Sequence, residues 1–411
     1  MKQFFNEFAA AIDTYIMFKI KEKMNMLSDE LTKKNRKPIS LAMGAPTTTP
    51  PKLITDTLKN SLDEKNIHTY SVPKGEKYFT EAVKTRMKNR FDVELDISEI
   101  CSLLGSKEGI ANLIRGIITP ANKDEEKDIV LIPDPSYASY KEMVKVCGGL
   151  GYSIPLTEDN NYMPNMENIL TQLEKDGFNK NKIKALIINY PNNPLGATCN
   201  KEYLQEVVDF CKKYEILLIS DAAYADIYFE EQNKPSSVLE VKGAKDIAVE
   251  FHSLSKPYSI TGWRIGWVCG NKEVVSQFAK LKSTIDSGIF KGIQKAGAEI
   301  LNSKEGYEYI VWANNEIKKK SDYFVKAFRE ELNWNIDHIP SATFYQWIKI
   351  PQRYKTSEEF CDDLLEKSGV VMVPGTAFGK YGQGYVRVSI VCSIEELQEV
   401  VKRMKEDGFT Y

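Results

Sequence analysis

The run ALIINYPNNPLGATCNKEYLQEVVDFCKKYEILLISDAAY, residues 185–224, holds two apolar segments, ALIIN (185–189) and ILLIS (216–220), on either side of a helical stretch, Lys201–Lys213. Segments that are apolar throughout read as strands buried on both faces, and a helix between them makes the crossover of a parallel pair. The alternation extends outward. ICSLL (100–104), DIVLI (128–132), DIAVEF (246–251) and IGWVC (265–269) are further candidate strands, and Lys107–Ile118 is a further helix. This predicts an α/β fold with a mainly parallel central sheet and helices on both faces. A long helical run follows, Ser303–Leu332. After it come short alternating strands, TFYQWIKI (343–350), VVMVP (370–374) and YVRVSI (385–390), with helices at about 357–367 and 394–406, which reads as a smaller α+β domain. Near the N-terminus Ile16, Ile20, Met24, Leu27 and Leu31 recur at helical spacing, and Gly44–Pro51 reads as a loop. The expected division is an arm and helix over 1–52 joining the small domain, a large domain over 53–302, and the small domain over 303–411.

Composition removes several function classes. The 411 residues carry 55 Lys+Arg against 57 Asp+Glu, a net charge of −2, without the basic surplus that displaces counterions from nucleic acid. No apolar run approaches the roughly 20 residues that span a bilayer. The opening MKQFFNEFAAAIDTYIMF is interrupted by Glu7 and Asp13, unlike a signal peptide. Seven cysteines, at 101, 147, 199, 211, 269, 361 and 392, are scattered and never spaced C-x-x-C, which predicts reduced thiols in a cytoplasmic protein and no zinc site. Three histidines, 68, 252 and 338, stand far apart, so no metal centre is expected.

In open α/β sheets ligands gather at the carboxyl ends of the strands. Just past the candidate strands lie Gly105-Ser106-Lys107-Glu108-Gly109, Pro133-Asp134-Pro135-Ser136-Tyr137, Tyr190-Pro191-Asn192-Asn193-Pro194-Leu195-Gly196, Asp221-Ala222-Ala223-Tyr224 and His252-Ser253-Leu254-Ser255-Lys256. Taken singly each has an ordinary reading. Gly105–Gly109 is a turn into a helix, Asp221 a cap, Tyr137 and Tyr224 packing residues, Lys256 a surface lysine, Arg387 the outward residue of an edge strand, and Asn193-Pro194 a turn. Together they collect polar, small and aromatic side chains on one rim, with backbone N–H groups at a helix start suited to an anion.

The joint pattern resembles the class I/II aminotransferases, the fold-type-I enzymes dependent on pyridoxal 5′-phosphate. SLSKPYSITGWRIGW, with Lys256 and Arg264, resembles that family's cofactor-lysine signature, and PNNPLG, DAAY and YVRVSI match three further motifs in order. The likeness runs over nearly the whole chain and is greatest to bacterial LL-diaminopimelate aminotransferases, through HTYSVPKGEKYFTEAV, GSKEGI, PDPSYASY, NYPNNP, EFHSLSK, IDSGIF, ATFYQW and GYVRVSI.

The resemblance implies that Lys256 joins the cofactor aldehyde and later moves the proton, that Asp221 pairs with the pyridine nitrogen, and that Tyr224 and Asn193 reach the phenolic oxygen. It implies that Tyr137 stacks on the ring and that Ser106, Lys107, Ser253, Ser255 and Arg264 hold the phosphate, with Tyr70 reaching it from the neighbouring subunit of a homodimer. It implies too that Arg387 clamps the substrate carboxylate, with Gly44 and Asn193 beside it, and that the substrates are an amino acid of the LL-diaminopimelate kind and a 2-oxo acid. Leu195 stands where the family usually has threonine. GAPTTTPP replaces a usual acidic loop, and Pro257-Tyr258-Ser259-Ile260 departs from the usual residues after the lysine. An aminotransferase for aspartate, alanine or aromatic amino acids, and a C–S lyase of the same fold, stay open as alternatives. A regulator would add a basic helix-turn-helix domain. A serine hydrolase would need G-x-S-x-G, and a dinucleotide enzyme G-x-G-x-x-G after its first strand; neither motif occurs.

Overall fold

In the computed structural model, residues 4–14 and 16–411 are described; the parts of the N-terminal reading that fall on residues 1–3 and 15 lie outside them. Seven strands form the main sheet in the spatial order Ile100–Leu103, Gly266–Gly270, Ala248–Ser253, Leu217–Asp221, Ile183–Ile188, Ile129–Asp134, Leu150–Pro155. Gly266–Gly270 runs antiparallel to both its neighbours, and the other pairings are parallel. The fold is therefore α/β with a mainly parallel sheet, as expected.

Alternation of side chains explains the unbroken apolar runs. Ile129 and Leu131 enter one buried cluster and Val130 and Ile132 another; Leu218 joins the first and Ile219 the second. Because successive residues point to opposite faces, a strand covered by helices on both sides must be apolar at every position. The crossover helix Lys201–Lys213 is started by Asn200, whose side chain accepts from the Tyr203 N–H, and buries Leu204, Val207, Val208 and Cys211 against the first cluster.

The strand Leu150–Pro155 had no apolar signature, because it is the sheet edge and most of its residues are only half-buried. Strand boundaries also differ from the sequence reading by a few residues, two of them at the rim. Asp221 is the last residue of its strand rather than the first beyond it, and the strand expected to stop at Phe251 continues to Ser253, held by pairing with Gly266.

The 29-residue helix Lys304–Leu332, capped by Ser303, leads to a three-stranded antiparallel sheet ordered Val373–Pro374, Tyr385–Ser389, Tyr345–Lys349. VVMVP breaks at Met372: Val370–Val371 pairs instead with Ile39–Ser40, in parallel. Leu41 shares a core with Phe324, Phe328, Trp334 and Val388, and Leu31 packs with Trp347 and Val373. Ser393 and Glu396 form a reciprocal cap at the start of the last helix, Ile394–Glu406.

Parallel register brings Asp134, Asn189, Asp221 and Ser253 to one rim. The antiparallel strand starts on that rim, so Arg264, two residues before Gly266, arrives there as well. No helix among the described residues is long and apolar enough to cross a membrane.

Candidate active site

A cleft of about 320 Å³ opens at this rim between the two sheets. Its walls include Gly44, Ser106, Lys107, Tyr137, Asn193, Asp221, Tyr224, Ser253, Ser255, Lys256, Arg264 and Arg387. Twelve residues singled out from the sequence thus meet in one place. Tyr70 does not: it is 87% exposed and outside the cleft.

Lys256 donates from Nζ to the Gly44 carbonyl at 2.7 Å and lies 5.9 Å from the Tyr224 ring centre. Burial, joined by the positive charges of Arg264 and Arg387 and opposed by Asp221, draws its amine down to about 8. A lysine so placed keeps a far larger neutral, nucleophilic fraction near physiological pH than an ordinary lysine does, although the ammonium still predominates below its pKa. Capture of an aldehyde by the cofactor-free chain should therefore quicken about tenfold per pH unit up to about 8 and level off above it. Stopped-flow absorbance would follow this; a midpoint near the ordinary lysine value of 10.5 would contradict it.

Asp221 is buried at the floor. Its Oδ2 accepts from the Tyr140 hydroxyl at 2.6 Å, its Oδ1 from the Ala223 N–H at 3.2 Å, and its carbonyl from Asn189 Nδ2 at 2.8 Å. Burial raises its pKa, while the Tyr140 and Ala223 hydrogen bonds and the charges of His252 and Lys256 act the other way. Among the described residues it makes no salt bridge, so a cationic ring nitrogen is the partner its surroundings suit. Tyr140, which the sequence reading passed over, stands three residues beyond Tyr137 at the start of the Ser139–Val146 helix, with the two rings edge-to-face at 5.6 Å.

An anion site faces this carboxylate. Ser106 and Lys107 open the Ser106–Ile117 helix, whose first N–H groups have no partner within it. Gly105 before it has φ 85° and ψ 156°, and a Cβ there would overlap the Arg264 guanidinium. Arg264 is held by the carbonyls of Thr261 and Leu104 at 3.0 and 3.1 Å. Among the described residues the buried Ser255 hydroxyl has no hydrogen-bond partner, which suits it to a phosphate oxygen. Gly105→Ala should weaken phosphate-ester binding by about tenfold or more, since that backbone region costs about 1–3 kcal/mol for any other residue. Cofactor titration measures it, and an unchanged affinity would contradict it.

Arg387, 4% exposed, donates from Nη1 to Asn193 Oδ1 at 2.9 Å and from Nη2 to the Ala42 carbonyl at 2.6 Å, while its Nε has no partner among the described residues. The guanidinium carbon lies 4.5 Å from the Tyr345 ring and 4.7 Å from that of Phe378. With no carboxylate paired to it among the described residues, this buried cation suits a carboxylate ligand. Tyr345, also missed, donates to or accepts from the Tyr224 hydroxyl at 2.9 Å and lies so close to Gly44 that a Cβ there would overlap it. Tyr224 is held well above the usual tyrosine range by burial and then by Tyr345, so it stays a neutral hydroxyl.

The three family departures make these contacts. Leu195 is fully buried beside Trp347 and Val373, filling a core position, and its carbonyl meets His338 Nε2 at 2.9 Å. Thr48 and Ser259, from the two departing segments, hydrogen-bond each other at 2.6 Å, and both reach the Tyr309 hydroxyl at 3.1 Å.

The residues thus fit pyridoxal 5′-phosphate: an anion cradle, a buried carboxylate for its ring nitrogen, an aromatic wall and an amine. The family model described as "Aminotransferase class I and II" matches residues 36–404. LL-diaminopimelate aminotransferase of Aquifex aeolicus (strain VF5) is 40% identical over 89% of this chain and 90% of its own. Substrate-bound BacF from Bacillus subtilis superposes with a TM-score of 0.91 at 28% identity, covering 100% of this chain and 99% of that one. The aromatic aminotransferase from Pyrococcus horikoshii OT3 gives 0.82 at 27%, covering 94% and 98%. With a cleft of this chemistry and likeness along its whole length, the chain belongs to the class I and II aminotransferases, enzymes of fold type I whose cofactor is pyridoxal 5′-phosphate.

Proposed function

We propose that this aminotransferase moves an amino group between an LL-diaminopimelate-type amino acid and a 2-oxo acid, with glutamate and 2-oxoglutarate as the second couple, in two half-reactions. The observation that carries the chemistry is a single cleft in which the depressed Lys256 amine, the buried Asp221 carboxylate and the Arg387 guanidinium, which has no carboxylate partner among the described residues, face the same small volume. The names of relatives at 36–40% identity support the substrate.

When bound, the cofactor supplies an electron sink for the substrate Cα. Lys256 is the residue that would hold the cofactor at its aldehyde, and its amine would take up and return the proton at Cα. Its low pKa lets the amine accept that proton near neutral pH. Asp221, fixed by Tyr140, keeps the ring nitrogen protonated. Tyr137 covers the ring, and Tyr224 with Asn193 approaches its phenolic oxygen. Ser106, Lys107, Ser253, Ser255 and Arg264 hold the phosphate. Arg387 grips the α-carboxylate with two parallel hydrogen bonds, and the Gly44 loop and Asn193 complete that corner.

Arg387→Lys loses the forked geometry and should raise KM for both the amino acid and the oxo acid by about 10- to 100-fold, the range of a lost charged hydrogen bond. Steady-state kinetics with each substrate varied in turn would detect it; unchanged values would refute the clamp.

We further infer a cytoplasmic homodimer in which Tyr70 serves the partner's phosphate site, a reading supported by its exposure at 87%. Residues 53–302 would form the cofactor-holding domain, with 1–52 and 303–411 as the smaller one; the parallel pairing of Ile39–Ser40 with Val370–Val371 supports that grouping. A catalytically competent monomer in solution would overturn the shared site.

The substrate reading is tested by loading the enzyme with cofactor, adding amino acids singly and following the loss of visible absorbance. LL-diaminopimelate should react fastest. Its failure beside rapid reaction of another amino acid would overturn the substrate and leave the reaction class intact, while pyruvate and ammonia formed without an oxo-acid acceptor would indicate the lyase.

A further inference from the structure

We propose that Asp134 is a positioning residue that acts at a distance on substrate binding: it pins the loop Gly375–Gly382 to the main sheet, and that loop sets the Phe378 ring against Arg387. The inference rests on the reading of Arg387 as the carboxylate clamp.

Asp134 ends the Ile129–Asp134 strand on the cleft rim but does not line the cleft. It is fully buried and saturated with donors. Oδ2 accepts from Lys141 Nζ at 2.6 Å and from Ser153 Oγ at 2.8 Å, and Oδ1 accepts from the Tyr381 N–H at 3.2 Å. The last of these bonds joins the main sheet to a segment 247 residues further along the chain. Gly379, at φ 140°, lies so close to the carboxylate that a Cβ would overlap it, so the loop is seated directly on the charged group. A second bond, from the Ser136 N–H to the Phe378 carbonyl at 2.9 Å, fixes the backbone of Phe378 itself.

Phe378 connects this anchorage to the substrate corner. Its ring lies 4.7 Å from the Arg387 guanidinium carbon and 6.2 Å from Trp347, edge-on, while Tyr345 lies 4.5 Å from the same guanidinium. Two aromatic faces at that range restrict the plane of the guanidinium, and a fork that grips a carboxylate with two parallel bonds depends on that plane. A buried carboxylate fed by an ammonium and two neutral donors is a strong anchor, because charged hydrogen bonds are shorter and stronger than neutral ones. Loosening it frees the loop, then Phe378, then the guanidinium, with no contact to Lys256 or Asp221.

Asp134→Asn keeps the shape and removes the charge, placing an amide where Lys141 and Ser153 donate. It should raise KM for the amino acid and the oxo acid alike by about tenfold, with kcat within about twofold of the parent and cofactor affinity unchanged. Phe378→Leu should raise KM similarly, and the double variant should be no worse than Phe378→Leu alone, because residues acting in series are not additive. If Asp134→Asn does not fold, Lys141→Met with Phe378→Leu carries the same cycle from a partly exposed lysine.

Arg387→Lys run alongside separates the outcomes. An unchanged KM there overturns the clamp and this proposal with it. A raised KM there, with Asp134→Asn at parental KM or fully additive with Phe378→Leu, overturns the proposal alone. A fall in kcat and cofactor affinity that follows the loss of melting temperature would mark Asp134 as merely structural and also overturn it.

Discussion

Lys256→Ala should leave no measurable transamination, a loss of more than about 10⁴-fold, together with the visible absorbance that the loaded enzyme owes to its lysine-bound cofactor. No second amine is built to substitute. Among the cleft-lining residues the other lysine is Lys107, which opens the Ser106–Ile117 helix and lies 5.6 Å from the centre of the Tyr137 ring. The fold should survive, because burial and the charges of Arg264 and Arg387 all oppose the ammonium, and removing it relieves them. Circular dichroism and melting close to the parent, with no activity and no visible band, is the expected combination. Appreciable turnover in a variant that still holds cofactor would remove the mechanism.

Asp221→Asn carries the second-largest effect. The carboxylate is buried, takes a hydroxyl and a backbone N–H, and still has its pKa raised by its surroundings, so it is poised to gain from a cation laid against it. The amide has the same outline but cannot stabilise a protonated ring nitrogen, and the Tyr140 hydroxyl loses its charged acceptor. Removing one preorganised electrostatic contact of this kind costs about 10²–10³ in rate. Single-turnover rates should fall by that amount while KM for the amino acid changes little, because Arg387 and Gly44 are untouched. A rate within a few-fold of the parent would mean that the ring nitrogen does not depend on this residue.

Much of this site is legible from strand ends alone. Asp221, Asn193, Ser253, Lys256 and Tyr137 follow apolar runs that can only be buried parallel strands, and parallel strands deliver their carboxyl ends to one rim. Local sequence does not reveal what comes from elsewhere. Tyr345 reaches Tyr224 across 121 residues, and Asp134 reaches Tyr381 across 247, contacts set by how the two sheets pack. Tyr140 carried a weaker signal, its three-residue spacing from Tyr137: the Tyr140 N–H donates to the Tyr137 carbonyl at 3.0 Å, a turn into the helix that sets the two rings edge-to-face. The edge strand Leu150–Pro155 was hidden for the opposite reason to the central ones: half-exposed, it needs no apolar run. Thr48 and Ser259, from two segments that depart from the family pattern, hydrogen-bond each other, so the loop rests on the segment after Lys256, a contact that local sequence does not reveal.

The most direct measurement is chemical. Borohydride reduction of the loaded enzyme, followed by proteolysis and mass mapping, fixes the cofactor to whichever side chain bears it. Label is expected on the peptide containing Lys256 and on no other; label on Lys107 or any other lysine, with Lys256 unmodified, would contradict Lys256 as the cofactor-bearing residue.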